Sequence, residues 1–162
     1  MVCIIWIGLY RCAMRSSAFI SYSSKDKQWL CQLLTMLTPA IRNGLKIWSD
    51  QEIPAGALWR QEIHNALAAA KVAVLLVSVE FLASEFIHTV ELPSLLEAAA
   101  SEGLTVLWVP IDFNLVDQTP IHPFQAAHDP EQPLISLSEA ERSRALRKIG
   151  QRVIAAMNGE VG

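Results

Sequence analysis

The sequence predicts a three-layer α/β fold, a parallel sheet with helices on both faces, and three observations lead there. A wholly apolar run, residues 72–77, and a second continuous one, residues 104–111, whose one polar residue is Thr105, lack the polar alternation of a strand with one wet face, so both their faces are covered. Five strand-like stretches alternate with segments whose apolar residues recur at helical spacing. No internal repeat or linker divides the 162 residues, a length that suits one domain with a sizeable core.

The elements follow in chain order. Residues 17–22, SAFISY, read as a short buried strand, and Ser23 with Asp26 supplies an S-x-x-D helix start ahead of Trp29. Trp29, Leu30, Leu33, Leu34 and Leu37 give the first helix one apolar face, with Pro39 and then Asn43-Gly44 marking its end. Residues 45–49, LKIWS, alternate and belong at a sheet edge. Residues 50–56, DQEIPAG, form a loop by their Pro and Gly. Leu58, Trp59, Ile63, Ala66 and Leu67 define the second helix, which leads into the first apolar run. A third helix follows that run, with Glu97, Ser101 and Glu102 on its exposed side and Gly103 at its end.

After the second apolar run comes a long loop, residues 112–133, holding Pro120, Pro123, Pro130 and Pro133. A loop of that length is functional or packed without regular structure. Residues 134–137 are the candidate fifth strand. Ser138 and Glu141 make a capping box before Leu146, Ile149, Val153 and Met157 at helical spacing. Arg142, Arg144, Arg147, Lys148 and Arg152 on this last helix read as a solvated face. With the apolar strands central and the alternating one at an edge, the strand order agrees with the flavodoxin-like arrangement 2-1-3-4-5.

Composition narrows the function. Apolar residues make up 52% and charged residues 18% of the chain, a globular balance, and a net charge of −3 gives no general attraction for nucleic acid or an anionic membrane. Cys3, Cys12 and Cys31 are odd in number and lack C-x-x-C spacing, so neither a disulfide framework nor a zinc site is indicated and a reducing cytoplasm fits. His64, His88, His122 and His128 lack metal-ligand spacing, and no metal is expected. Residues 1–10, MVCIIWIGLY, are apolar over too few positions to span a bilayer, which takes roughly 20 residues. They also lack the leading basic residue of a secretory signal. They read as an extended start, with Met14 a second candidate initiator and an edge strand or peripheral anchor as alternatives.

Residues 78–92, SVEFLASEFIHTVEL, organise the rest. They begin where a buried strand ends, at the rim where open α/β sheets hold ligands, and they close on Glu91 just ahead of Pro93. Proline lacks an N–H and clashes with the carbonyl four residues back, so the helix is expected to kink or restart near Leu92, with Glu91 at a fresh amino-terminal turn. Spacing leaves two roles open for Glu91, a helix cap and a site carboxylate.

Several chemistries are absent from the sequence. Neither G-x-G-x-x-G nor G-x-x-x-x-G-K-[ST] occurs, which argues against a dehydrogenase or P-loop nucleotidase. The acids that a phosphate-accepting receiver domain needs are replaced by Ser21-Tyr22-Ser23 and Ser78. No G-x-S-x-G elbow surrounds Ser78.

FISYSSKD at 19–26, IWSDQEIPAGALW at 47–59, KVAVLLVS at 71–78, and FLAS with VELP between 81 and 93 resemble the successive boxes of a Toll/interleukin-1 receptor (TIR) domain. FQAAHDPEQPLISLSEAER at 124–142 resembles bacterial members. The resemblance covers residues 17–157, leaving 1–16 as an amino-terminal extension and 158–162 as a tail. It implies cleavage of the nicotinamide–ribose bond of NAD⁺, as substrate and not cofactor, giving ADP-ribose or a cyclic isomer in bacterial anti-phage defence. In the family pattern S-x-W-x-x-x-E the glutamate is catalytic. Ser84, Phe86 and Glu91 take those places here, with Ser-to-Glu one residue longer and phenylalanine near the tryptophan position. By the same resemblance Ser23, Ser24, Trp48 and Asp50 line the pocket, with Ser23 as helix cap, Trp48 as strand packing and Asp50 as turn former for alternatives. The resemblance further implies that the loop Gln51, Glu52, Ile53, Pro54, Ala55 and Gly56 contacts a neighbouring TIR domain and completes a shared site. A module that only docks onto other TIR domains, without catalysis, is the second reading.

Overall fold

The computed structural model describes residues 15–49 and 58–160. Five parallel strands form one sheet in the order β2-β1-β3-β4-β5. They are β1 (Ser17–Ser21), β2 (Lys46–Ser49), β3 (Ala70–Val77), β4 (Thr105–Pro110) and β5 (Gln125–Ala126). The helices are α1 (Lys27–Arg42), α2 (Trp59–Ala69), α3 (Val79–Ala83), α4 (Leu92–Ser101) and α5 (Glu139–Met157). A 3-10 turn, Ser24–Asp26, precedes α1, and a π-helical turn, Ile87–Glu91, runs directly into α4.

Period-two alternation distributes the strand side chains to two cores. Ala18, Ile20, Val72, Val74, Leu76, Leu107 and Val109 pack with α1 and α5 on one face. Phe19, Ala73, Leu75, Val77, Val106 and Trp108 pack with α2, α3, the π turn and α4 on the other. Because β3 and β4 are covered on both sides, their residues beyond Lys71 and Thr105 are apolar without alternation; β2, at the edge, has the burial pattern exposed, half-buried, half-buried, buried.

Three expectations are corrected. The fifth strand is Gln125–Ala126, inside the proline-rich loop, where it pairs with Leu107 and Trp108; Leu134–Ser136 is a 3-10 turn. Leu134 is apolar because it is 1% exposed in the core, not because it pairs in the sheet. Pro39 lies inside α1, which continues to Arg42 and ends at Asn43 and at Gly44 with φ 105°. Burial of Trp29, Leu30, Leu33 and Leu37 outweighs the one missing N–H. Arg142 is not part of a solvated face: it is half-buried, bonds the carbonyls of Leu134 and Leu137, and lies 5.1 Å over the Trp29 ring.

The capping box at Ser138 and Glu141 is present. Arg15 and Ser16, ahead of β1, are tied to the end of α2: Arg15 donates to the carbonyls of Leu67 and Ala70, and Ser16 N–H to that of Ala69. Residues 1–14 lie outside the described residues. Among those described, no helix is long and apolar enough to cross a membrane.

Candidate active site

The chain order reverses between β1 and β3, and a ligand crevice is expected outside the carboxyl ends of those strands. A cleft of about 450 Å³ lies there, lined by Tyr22, Ser23, Ser24, Ser84, Phe86, Ile87 and Glu91. The first three follow β1; the other four belong to the helical segment after β3.

Glu91 is the charged group of this lining, and it is 5% exposed. Its Oε2 accepts a hydrogen bond of 2.5 Å from the Ser21 hydroxyl at the end of β1, itself 2% exposed. A buried carboxylate is tolerated only where donors replace lost water, and Ser21 is one such donor.

The kink or restart expected near Leu92 takes the form of a change of helix type, the π turn ending at Glu91 and α4 beginning at Leu92. Glu91 has φ −74° and ψ −50°, and the chain passes through Leu92 and Pro93 without leaving helical geometry. The Leu92 N–H bonds the Ile87 carbonyl, five residues back. Widening the turn ahead of the proline makes room for the ring without breaking the helix. Glu91 directly precedes α4 but its side chain makes no cap hydrogen bond to that helix, so the cap reading is set aside. A π turn holds one residue more than an α turn, and this one lies between Ser84 and Glu91. One extra residue in an α-helix rotates everything beyond it by about 100°. Here Ser84 and Glu91 still line the same cleft.

The other predicted residues divide. Ser23 is 8% exposed and also accepts from Lys25 N–H at 3.4 Å, so it both caps the 3-10 turn and lines the cleft. Ser24 is exposed at the start of that turn. Ser84 accepts from Ile87 N–H at 3.4 Å, and Phe86 is 38% exposed. Trp48 is not brought to the cleft among its described lining residues; its ring stacks on Phe19 with centroids 5.0 Å apart and planes 11° apart. Asp50 and the loop 51–56 lie outside the described residues. Ser21, Tyr22 and Ile87 are site residues that the sequence reasoning missed. The available signal was Ser21, a hydroxyl that ends a strand whose preceding three residues are apolar.

Behind the cleft wall, Asp26 is 7% exposed and accepts from the Ser78 hydroxyl. Burial pushes its carboxyl above the usual range, the Ser78 bond opposes that, and Asp112 and Glu80 add repulsion. No group of three or more His, Cys, Asp or Glu placed to hold a metal occurs among the described residues.

A doubly wound sheet with a buried carboxylate at its switch-point rim defines a flavodoxin-like α/β domain that can steady positive charge in a small cleft. A TIR domain family model matches residues 18–150, and the chain belongs to that family. Among solved structures it is similar to the TIR domains of the activated Roq1 resistosome directly recognising the pathogen effector XopQ. That match has 19% identity over 84% of each chain and a TM-score of 0.53, a likeness of fold. It is also similar to the TIR domain of the Toll-related receptor TRR-2 from Hydra magnipapillata, with 14% identity over 80% of this chain and 97% of that one, and a TM-score of 0.47. No curated protein matches the chain.

Proposed function

We propose that this TIR domain is an NAD⁺ glycohydrolase whose catalytic carboxylate is Glu91. The family includes both NAD⁺-cleaving enzymes and signalling modules. The observation that carries the catalytic reading is the buried Glu91 carboxylate, held by Ser21 and lining a cleft of about 450 Å³.

The chemistry needs little more than that. Glycosidases use a second carboxyl group because the leaving oxygen must be protonated. Nicotinamide leaves a cationic pyridinium as a neutral molecule: the C1′–N bond breaks, its electron pair goes to the ring nitrogen, and no acid is required. Positive charge then grows on the ribose. The Glu91 carboxylate stabilises it and accepts hydrogen bonds from the ribose hydroxyls. Water adding at C1′ gives ADP-ribose and releases one proton; a nucleophile on the adenine gives a cyclic isomer instead. Ser23, Ser24 and Ser84 offer hydroxyls to the polar parts of the substrate, and Phe86 offers a ring face to the nicotinamide.

The resistosome relative is an assembly, and self-association of TIR domains is part of this reading. Loop 51–56, with Asp50, completes the site against a neighbouring copy, and NAD⁺ depletion in bacterial anti-phage defence is its biological use. Incubating concentrated protein with NAD⁺, and identifying the products by mass spectrometry, tests the reading. Equal amounts of nicotinamide and ADP-ribose, or a cyclic isomer, support it. Intact NAD⁺ after incubation of assembled protein supports a docking module instead.

A further inference from the structure

Outside the cleft, polar contacts join the two chain segments that form its walls. The Ser78 hydroxyl, at the head of α3, has one hydrogen and gives it to Asp26, at the end of the 3-10 turn. The same oxygen accepts from Phe81 N–H at 2.9 Å and so caps α3. Asp112, just past β4, accepts from Val79 N–H at 3.0 Å, and Lys25 pairs with Glu80 at 3.1 Å. The 3-10 turn carries Ser24 and follows Ser23, while α3 leads to Ser84 and the π turn bearing Glu91.

The arrangement is not explained by stability alone. Asp26 is 7% and Ser78 1% exposed, and burial and the nearby Asp112 and Glu80 all disfavour a charge on Asp26. A carboxylate in that setting weakens the folded state unless its hydrogen bond does something an apolar contact would not. An apolar residue would leave the Ser78 hydrogen without this acceptor and the 3-10 turn without this tie to α3.

We propose that Asp26 is a positioning residue for the cleft: its bond from Ser78 fastens the Ser23–Ser24 wall to the segment that bears Ser84 and Glu91, and so fixes the spacing of the groups that hold substrate. The identity of the substrate rests on the NAD⁺ reading; the fastening is a property of the chain and is measured without it.

The test compares wild type, Asp26→Ala and Asp26→Asn by amide hydrogen exchange and by nicotinamide release. Asn keeps an acceptor for Ser78, whereas Ala does not. In Asp26→Ala, amides of residues 22–26 exchange about tenfold faster while those of β3 and β4 do not change, as expected for one lost buried bond. The KM for NAD⁺ rises about tenfold with kcat little altered, the mark of lost substrate binding. Asp26→Asn restores both. Should Asp26→Ala not fold, Ser78→Ala removes the same bond from its donor side together with the α3 cap, and Ser78→Asn, which keeps a cap acceptor, separates the two at residues 22–26. Unchanged exchange at 22–26, an Asn variant as impaired as Ala, or an unchanged KM in an active background each overturns the proposal. A wild type that releases no nicotinamide sinks the NAD⁺ reading instead, and the exchange data then decide the fastening alone.

Discussion

Ser21 and Glu91, 70 residues apart in the chain, share a hydrogen bond of 2.5 Å between the end of β1 and the π turn. It links the sheet to the helical segment at the mouth of the cleft. Glu91 is thereby held by a strand, an element more rigid than a loop.

Replacing Ser21 with alanine removes that donor while leaving the strand intact. A hydrogen bond to a charged group contributes about 1.5–3 kcal/mol, so nicotinamide release should fall at least about tenfold. Ser21→Thr keeps the hydroxyl and should retain most activity. An alanine variant as active as wild type would mean that Glu91 is oriented by its other contacts.

The π turn makes a prediction about chain length. Deleting the exposed Thr89 converts it to an ordinary α turn and restores the S-x-W-x-x-x-E spacing. That variant should fold and keep activity within roughly tenfold, with its circular dichroism unchanged. Inserting one alanine after Thr89 turns Glu91 away by about 100° and should abolish activity. The reverse ranking of the two variants would show that the turn does not set the direction of Glu91.

These features were unequally visible in the sequence. β3 and β4 were legible because strands buried on both faces carry an unbroken apolar code. β5 was not, since Gln125 and Ala126 carry no such code and owe their strand geometry to pairing with Leu107 and Trp108. Glu91 stood out by its place between a buried strand and Pro93, but spacing left a cap and a site carboxylate as alternatives. The proline argument placed it just ahead of a new helical segment, as found, but local sterics could not foresee the π turn that joins the two segments. Its partner Ser21 was hidden by sequence distance. The Trp48 ring went to Phe19, a contact between neighbouring strands that no motif encodes.

Asp26 predicts a pH dependence of stability. Its folded pKa is raised above the ordinary value of 3.8. The stability associated with its protonated form is complete below 3.8 and declines as pH rises through the folded value, because the unfolded chain ionises first. Asp26→Asn cannot ionise and escapes this decline. Its Tm relative to wild type should therefore be higher at pH 7, and the advantage should vanish below pH 3.8. An advantage that grows on acidification would contradict the sign.

The α5 cap behaves oppositely. Hydrogen bonds from Ser138 hold the Glu141 carboxyl below its ordinary value of 4.5. Its contribution is present above 4.5 and is lost as pH falls through the folded value. Ser138→Ala should lower the urea midpoint at neutral pH, and lower it less in acid. Equal shifts at both pH values would show that the Ser138–Glu141 bonds do not depend on the charge.

The central claim is that the charge on Glu91, and not merely its shape, speeds departure of nicotinamide. Glu91→Gln keeps an acceptor for Ser21 and nearly the same volume but removes the charge. With saturating NAD⁺ and concentrated protein, the rate of nicotinamide release should fall by about 10²–10³ relative to wild type while the Tm stays close to it. Release at the wild-type rate from the glutamine variant would contradict the account.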